Sequence, residues 1–192
     1  MVEHKVSRCE LIVGGQKSGK SVRAEQLALT WLQAHASHRA VLLATAQAWD
    51  DEMQARIARH QQSRAQRVPG MQTVEEPLHV AAALQRLSTP ETLIVVDCLT
   101  LWLTNWMMPA DDAGAGAAVT APVSELCDTL QHLPGPVVVV SNEIGLGVIP
   151  MGAQVRAFVD ALGWLNQSVA QASTRVTLMA AGLPLTLKEA HT

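Results

Sequence analysis

An α/β fold built on a mostly parallel sheet is the fold class this chain predicts, and three observations predict it. Five short apolar runs recur, CELIV (residues 9–13), AVLLAT (40–45), TLIVVD (92–97), PVVVVSN (136–142) and RVTLMAA (175–181). They are rich in Val, Leu and Ile and lack apolar–polar alternation, which suits strands covered on both faces. Helical patterns separate them at about 19–34, 50–67, 78–87, 98–107, 122–132 and 153–173, and strand–helix alternation argues for a parallel sheet flanked by helices. A glycine-rich turn joins the first strand to the first helix. The last apolar run continues into GLPLTLK (182–188), which predicts a turn back into an antiparallel edge strand.

The chain has 192 residues, a length that suits one domain with a full-sized core. Hydrophobic residues make up 48% and charged residues 16%, the balance of a soluble globular protein. A formal net charge of −3 gives no electrostatic footprint for nucleic acid. No apolar stretch is long enough for a membrane span, and the N-terminal residues lack the apolar centre of a signal peptide. Cys9, Cys98 and Cys127 are odd in number and lack CxxC spacing, so they read as reduced thiols of a cytoplasmic protein. The segment PADDAGAGAAVTAP (109–122) has no periodic apolar face and reads as a flexible loop inside the domain.

The strongest local signal is GGQKSGKS, comprising Gly14, Gly15, Gln16, Lys17, Ser18, Gly19, Lys20 and Ser21. It fits G-x-x-x-x-G-K-S, follows an apolar strand and opens a helix, which is the context a phosphate-binding P-loop needs. The glycines let backbone N–H groups curl around phosphate oxygens, and the helix N-terminus adds its positive dipole end. Lys20 supplies a positive charge to the β- and γ-phosphates, and the Ser21 hydroxyl is a ligand for Mg²⁺. A second Mg²⁺ ligand is expected on a neighbouring strand end, where Asp97 closes TLIVVD. Ser141, Asn142 and Glu143 follow four valines at another strand end, with Gly145 and Gly147 beyond. They either meet a ligand at the carboxyl ends of the strands or cap the strand and its loop. No N-K-x-D is present to read guanine in the manner of GTPase switches.

The run DDEMQARIARHQQSRAQR (50–67) reads as a helix with acids at its start, suited to the positive end. At about 100° per residue, Met53, Ile57, His60, Arg64 and Arg67 fall in one stripe with Arg56 at its edge. That periodicity predicts that His60 and Arg64 face protein or a cleft. Two other readings stay open: Glu52 and Arg56 as an ordinary i,i+4 surface pair, and His60 as a partly buried structural histidine.

Taken together, GGQKSGKS, ATAQAWDDEMQARIARH, TVEEP, VVDCLTLWLTN, SNEIGLGVIP and FVDALGWLNQ resemble the bifunctional adenosylcobinamide kinase/adenosylcobinamide-phosphate guanylyltransferases of cobalamin biosynthesis. The resemblance covers about Leu11 to Lys188. Its specific parts are the D-x-E-M-x-x-R-I-x-x-H and N-E-x-G-x-G-x-x-P runs. It implies a RecA-like P-loop fold, and phosphorylation of adenosylcobinamide by a nucleoside triphosphate (ATP or GTP). Transfer of GMP from GTP to that phosphate would follow, releasing pyrophosphate. It also implies that His60 carries GMP covalently, with Lys20, Arg56 and Arg64 as catalytic neighbours and Glu75, Asn142 and Glu143 joining the nucleotide site. Mg²⁺ on Ser21 and Asp97, and a homotrimer, follow from the same resemblance. After His60 the chain departs from the family pattern: RAQRVPGMQTVEEP has a displaced Pro, no Trp and extra residues. Trp102 and Trp106 lie one helical turn apart and read as core or interface. The competing readings are a monofunctional small-molecule P-loop kinase and a nucleotide-binding regulatory ATPase.

Overall fold

The structure, a computed structural model, describes residues 6–48, 51–109 and 119–190, apart from the side chains of residues 52, 53 and 56. Its elements run β1 (Cys9–Gly14), α1 (Lys20–Ala34), β2 (Arg39–Ala44), α2 (Asp51–Arg67), β3 (Gln72–Glu75), α3 (Val80–Leu87) and β4 (Thr92–Asp97). They continue α4 (Leu99–Met107), α5 (Thr120–His132), β5 (Val137–Val140), α6 (Ala153–Ala172), β6 (Arg175–Ala180) and β7 (Leu183–Glu189). One seven-stranded sheet has the order β3-β2-β4-β5-β1-β6-β7, parallel throughout except for the β6–β7 pair.

The strand runs lack alternation because both sheet faces are covered. Successive side chains point to opposite faces, and here each face has its own apolar layer. Leu11, Val13, Val41, Leu43, Ile94, Val96, Val137 and Val139 pack under α3, α4, α5 and α6 with Leu84, Trp102, Leu126 and Leu165. Ile12, Leu42, Leu93, Val95, Val138 and Val140 pack on the other side with Leu27 of α1 and Val68 beyond α2. Trp102 is a core residue, 2% exposed, and its Nε1 donates to Leu78 O at 2.8 Å. Glu10 interrupts the first apolar run yet is fully buried. It accepts from Thr177 Oγ1 at 2.8 Å and pairs with Arg23 at 3.6 Å and Arg175 at 3.9 Å, the company a buried carboxylate needs.

The antiparallel edge strand forms as expected. Ala181 and Gly182 at the hairpin tip both take positive φ, 51° and 80°, the geometry of a tight two-residue hairpin turn. β3 is an additional strand that the apolar runs do not reveal, because QTVE is short, polar and mostly exposed on the sheet edge. The loop expected at 109–122 ends sooner than its composition suggests, since α5 already starts at Thr120. Pro122 is its third residue, in the first turn, where a missing N–H leaves no intrahelical bond unmade. Residues 110–118 of that loop, and Asp50 at the expected start of α2, lie outside the described residues. Among the described residues no helix is long and apolar enough to cross a membrane.

Gly135 precedes β5 at the amino edge of the sheet, and a Cβ there would strike Thr89 O and lie 2.7 Å from Thr92 O, both backbone atoms. Gly135→Ala is therefore expected to destabilise the fold by roughly 1–3 kcal/mol, lowering the thermal midpoint by about 2–4 °C per kcal/mol at this chain length. Calorimetric unfolding checks this, and an unchanged midpoint contradicts the packing described.

Candidate active site

The site is assembled at the carboxyl edge of the parallel strands, where the hydrogen-bond register lines up residues from five of them. Glu75 pairs with Ala44, Ala44 with Asp97, Asp97 with Val140, and Val140 with Ile12. Beyond Ile12, β1 reaches Gly14 and turns into the glycine-rich loop. Asp97 thus sits across β5 from that loop, about 10 Å away by two strand spacings.

The loop is shaped by glycine where side chains have no room. Gly14 has φ 152°, and a Cβ on it would strike Met179 O and lie 2.7 Å from Ser18 Oγ. Gly19 has φ 103°, with Gly182 Cα only 3.3 Å from where its Cβ would be. The β6–β7 hairpin tip therefore braces the loop, and Gly182 N donates to Ser18 O at 3.0 Å. Lys17 also takes a left-handed conformation, φ 56°. Gly19 is the N-cap of α1 and supplies no side-chain cap, so the first amides of α1 are not taken by a capping side chain and suit an anion. Gly15, Gln16 and Lys17 are exposed and Ser18 is buried.

Lys20 is nearly buried, and its Nζ donates to Gly14 O at 3.0 Å and Gly15 O at 2.7 Å. Burial lowers its pKa below the usual 10.5, opposed by the nearby Cys98 and Asp97. Ser21 is half-buried one residue on. With Asp97 it offers a hydroxyl and a carboxylate, hard oxygen donors of the kind a magnesium ion takes alongside phosphate oxygens and water. Cys98, beside Asp97, is buried, and burial first and the Asp97 charge second push its thiol pKa up.

Neighbouring loops are held by side chains that the sequence motifs do not single out. Thr45 Oγ1 donates to Cys98 O at 2.8 Å and accepts from Cys98 N at 3.0 Å, locking the ends of β2 and β4 together. Asn105 Nδ2 donates to Thr45 O at 2.8 Å and Pro77 O at 2.9 Å. Thr100 Oγ1 accepts from Asn142 N and Nδ2 at 3.0 and 3.1 Å, and Asn166 Nδ2 donates to Asn142 O at 3.0 Å. Asn142 thus has a structural share in the loop after β5. Glu143 N donates to Gly14 O at 3.0 Å, tying that loop to the cradle, while Glu143 Oε1 accepts from Gly145 N at 3.1 Å. Of the two glutamates in TVEEP, Glu75 is exposed at the strand end. Glu76 instead accepts from Leu78 N and His79 N at the start of α3.

The helix α2 sits differently from the expected stripe. Arg64 and Val68 are buried and Ile57 half-buried, whereas His60 is exposed. At 100° per residue His60 lies about 60° round from Ile57, so it flanks the inward face. Arg64 is 7% exposed. Its Nε lies 3.7 Å from Glu25 Oε1, and its Nη2 lies 3.7 Å from Asp97 Oδ2. Arg67 reaches the same Glu25, with Nε 2.7 Å from Oε2 and Nη2 donating to Oε1 at 3.2 Å. Arg64 therefore links α2 to the P-loop helix and the β4 strand end, instead of standing on an open face beside His60. The side chain of Arg56 lies outside the described residues. Glu25, which receives both arginines, has no motif to mark it beyond its place one turn after Ser21.

A glycine cradle with a lysine in its wall, a strand-end carboxylate across one intervening strand, and a helix N-terminus between them define a P-loop nucleotide-binding protein of the RecA-like arrangement. The family model described as "Cobinamide kinase / cobinamide phosphate guanyltransferase" matches residues 10–187, and the chain belongs to that family. It is a bifunctional cobinamide kinase and cobinamide phosphate guanylyltransferase of cobalamin biosynthesis. The chain is 45% identical over 179 residues to "Bifunctional adenosylcobalamin biosynthesis protein CobP" of Pseudomonas aeruginosa, covering 93% of this chain and 96% of that one. It is 32% identical over 187 residues to the CobU protein of Escherichia coli and 30% identical to that of Salmonella typhimurium, covering 93% of this chain and 98% of each relative. The crystal structure of the flagellar accessory protein FlaH from Methanocaldococcus jannaschii superposes with a TM-score of 0.53 at 12% identity, covering 96% of this chain and 80% of that one. That likeness concerns the fold alone.

Replacing Lys20 by Ala removes the ammonium group that lies against Gly14 O and Gly15 O in the cradle wall. Titration calorimetry is expected to show ATP binding weakened by about 10- to 100-fold, the cost of a lost charged hydrogen bond. Wild-type affinity in Lys20→Ala contradicts the placement of phosphate in this loop.

Proposed function

We propose that one nucleotide cradle, residues 14–21, serves both reactions, and that His60 is the covalent carrier of GMP. The observation that carries this reading is the docking of α2: through Arg64, the helix that bears His60 is tied to the P-loop helix and to Asp97. Arg64 and His60 are four residues apart, about 6 Å along the helix.

In the kinase step the acceptor hydroxyl of adenosylcobinamide attacks the γ-phosphorus of ATP or GTP, and the nucleoside diphosphate leaves. The loop amides and Lys20 hold the phosphate oxygens, and Glu143, whose backbone N–H donates to Gly14 O, is assigned to orient the acceptor hydroxyl and take its proton. Ser21 and Asp97 are the residues that would hold Mg²⁺, which when bound would spread the negative charge of the phosphates. Glu75 and Asn142 complete the nucleotide site.

In the guanylyl step the neutral His60 imidazole attacks the α-phosphorus of GTP. The bond to the β-phosphate oxygen breaks and pyrophosphate leaves toward Lys20. A phosphate oxygen of the phosphorylated corrinoid then attacks the same phosphorus, the N–P bond breaks, and the imidazole is regenerated. Two displacements replace one difficult one. Arg56 precedes His60 by four residues in the sequence and is the catalytic neighbour that the family resemblance implies. Arg64 acts here as a docking residue.

The family resemblance supports a homotrimer. Leu183, Leu185 and Leu187 expose 57–70% of their surface along the edge strand β7, an apolar edge that a second copy would cover. Three free cysteines, Cys9 and Cys98 among them buried, suit a cytoplasmic enzyme.

Incubation with GTP labelled on the α-phosphorus and with Mg²⁺ is expected to give an acid-labile, base-stable protein adduct. His60→Asn is expected to abolish it while retaining most cobinamide phosphorylation. An unlabelled wild type under turnover conditions, or full labelling of the variant, contradicts the role of His60.

A further inference from the structure

We infer that Glu25 is a positioning residue for guanylyl transfer, setting the place of His60 relative to the phosphate cradle through Arg64 and Arg67. This rests on the reading of His60 as the GMP carrier.

Over Gln54 to Arg67 the helix α2 has little apolar surface with which to hold itself in place, Val68 just past its end being the buried apolar anchor. Between Gln54 and Arg67 its only large apolar side chain is Ile57, which is half-buried. Hydrophobic burial normally fixes the rotation and height of a surface helix, and here it is nearly lacking over this stretch. Charge supplies the fixing contacts. Both oxygens of Glu25 face α2: Oε1 lies 3.7 Å from Arg64 Nε and accepts from Arg67 Nη2 at 3.2 Å, while Oε2 lies 2.7 Å from Arg67 Nε.

Glu25 is 4% exposed and Arg64 7%, so that contact is shielded from water and from salt, while Arg67 approaches the same carboxylate from the surface, 41% exposed. Arg67 Nη2 donates a hydrogen bond to Glu25 and so sets direction as well as distance, whereas Arg64 is held by charge attraction at 3.7 Å. Glu25 stands four residues after Ser21 on α1, and Arg64 stands four residues after His60 on α2. Each partner is therefore one helical turn from a residue of the site, and the Glu25–arginine contacts join the two turns. Arg64 extends the link to Asp97 at 3.7 Å.

The kinase reaction needs the cradle and the strand-end carboxylate but not His60, whereas guanylyl transfer needs all three. A link that only positions His60 should therefore affect one reaction and spare the other. A misplacement of about 1 Å in a reacting group costs on the order of 100-fold in rate.

The test compares Glu25→Gln, Glu25→Asp and wild type for the single-turnover rate of labelling from α-labelled GTP and for ATP-dependent phosphorylation of cobinamide, with thermal unfolding as a control. Glu25→Gln is expected to slow labelling by roughly 10- to 100-fold, with phosphorylation falling at least about tenfold less. Glu25→Asp, which keeps the charge, is expected to recover part of the labelling rate. Equal losses in both reactions mean a merely structural residue and overturn the inference, as does labelling of Glu25→Gln at the wild-type rate. Should Glu25→Gln not fold, Arg67→Gln removes the 2.7 Å contact from a side chain that is 41% exposed. It is expected to slow labelling severalfold, and wild-type labelling in that variant overturns the inference. Labelled wild type with unaffected Glu25→Gln defeats the positioning role alone, whereas a wild type that never labels defeats the histidine reading and this one together.

Discussion

The row of register partners Glu75, Ala44, Asp97, Val140 and Ile12 is the constraint on which the chemistry depends. In a parallel sheet every strand leaves by the same edge, so the segments that follow β1, β4 and β5 all begin within a few strand spacings of one another. The glycine loop, the Asp97–Cys98 bend and the Asn142–Glu143 segment are consequently neighbours although far apart in sequence. Their relative positions are then fixed by a small set of hydrogen bonds: Thr45 to Cys98, Thr100 and Asn166 to Asn142, and Glu143 to Gly14. Gly182 at the hairpin tip closes on Gly19 from the opposite side, while Met179 O of β6 and Ser18 Oγ leave Gly14 no room for a side chain, so both glycines are sterically pinned before any phosphate is considered.

The side of the site carried by α2 follows a different physics. Apolar packing holds α1 against the sheet through Ala24, Leu27 and Ala28, whereas α2 meets α1 through Glu25, Arg64 and Arg67. Buried ion pairs often contribute little net stability, because desolvation offsets attraction, but losing one partner of such a pair is costly. This arrangement suits a helix whose task is to hold one side chain at one place. Lys20 shows the same trade on a smaller scale. Its burial lowers its pKa, and two loop carbonyls occupy its donors at positions where phosphate oxygens would compete.

The parallel core was legible because its strands are buried on both faces and leave uninterrupted runs such as PVVVVSN. The P-loop was legible because phosphate recognition requires glycine, lysine and a hydroxyl residue at fixed spacing. β3 was hidden, since QTVE has neither apolar weight nor length. The start of α5 was hidden by Pro122, a residue that reads as a breaker until it is placed in a first turn. The inward stripe of α2 was right for Arg64 and displaced for His60, because the helix is turned toward Val68, beyond the end of the periodic window. Glu25 and Asn105 were invisible for a different reason. Each acts through partners more than twenty residues away, and one chain without its fold does not record such pairings.

The central claim is that the nucleotide held by residues 14–21 presents its α-phosphorus to His60. A crystal structure of the enzyme with Mg²⁺ and a GTP analogue whose α–β bridging oxygen is replaced by methylene tests it most directly. The account expects the triphosphate in the cradle, with Lys20 on its outer phosphates and the α-phosphorus within about 3–3.5 Å of a His60 ring nitrogen. A triphosphate bound elsewhere, or an α-phosphorus turned away from α2 with His60 still facing solvent, would contradict it.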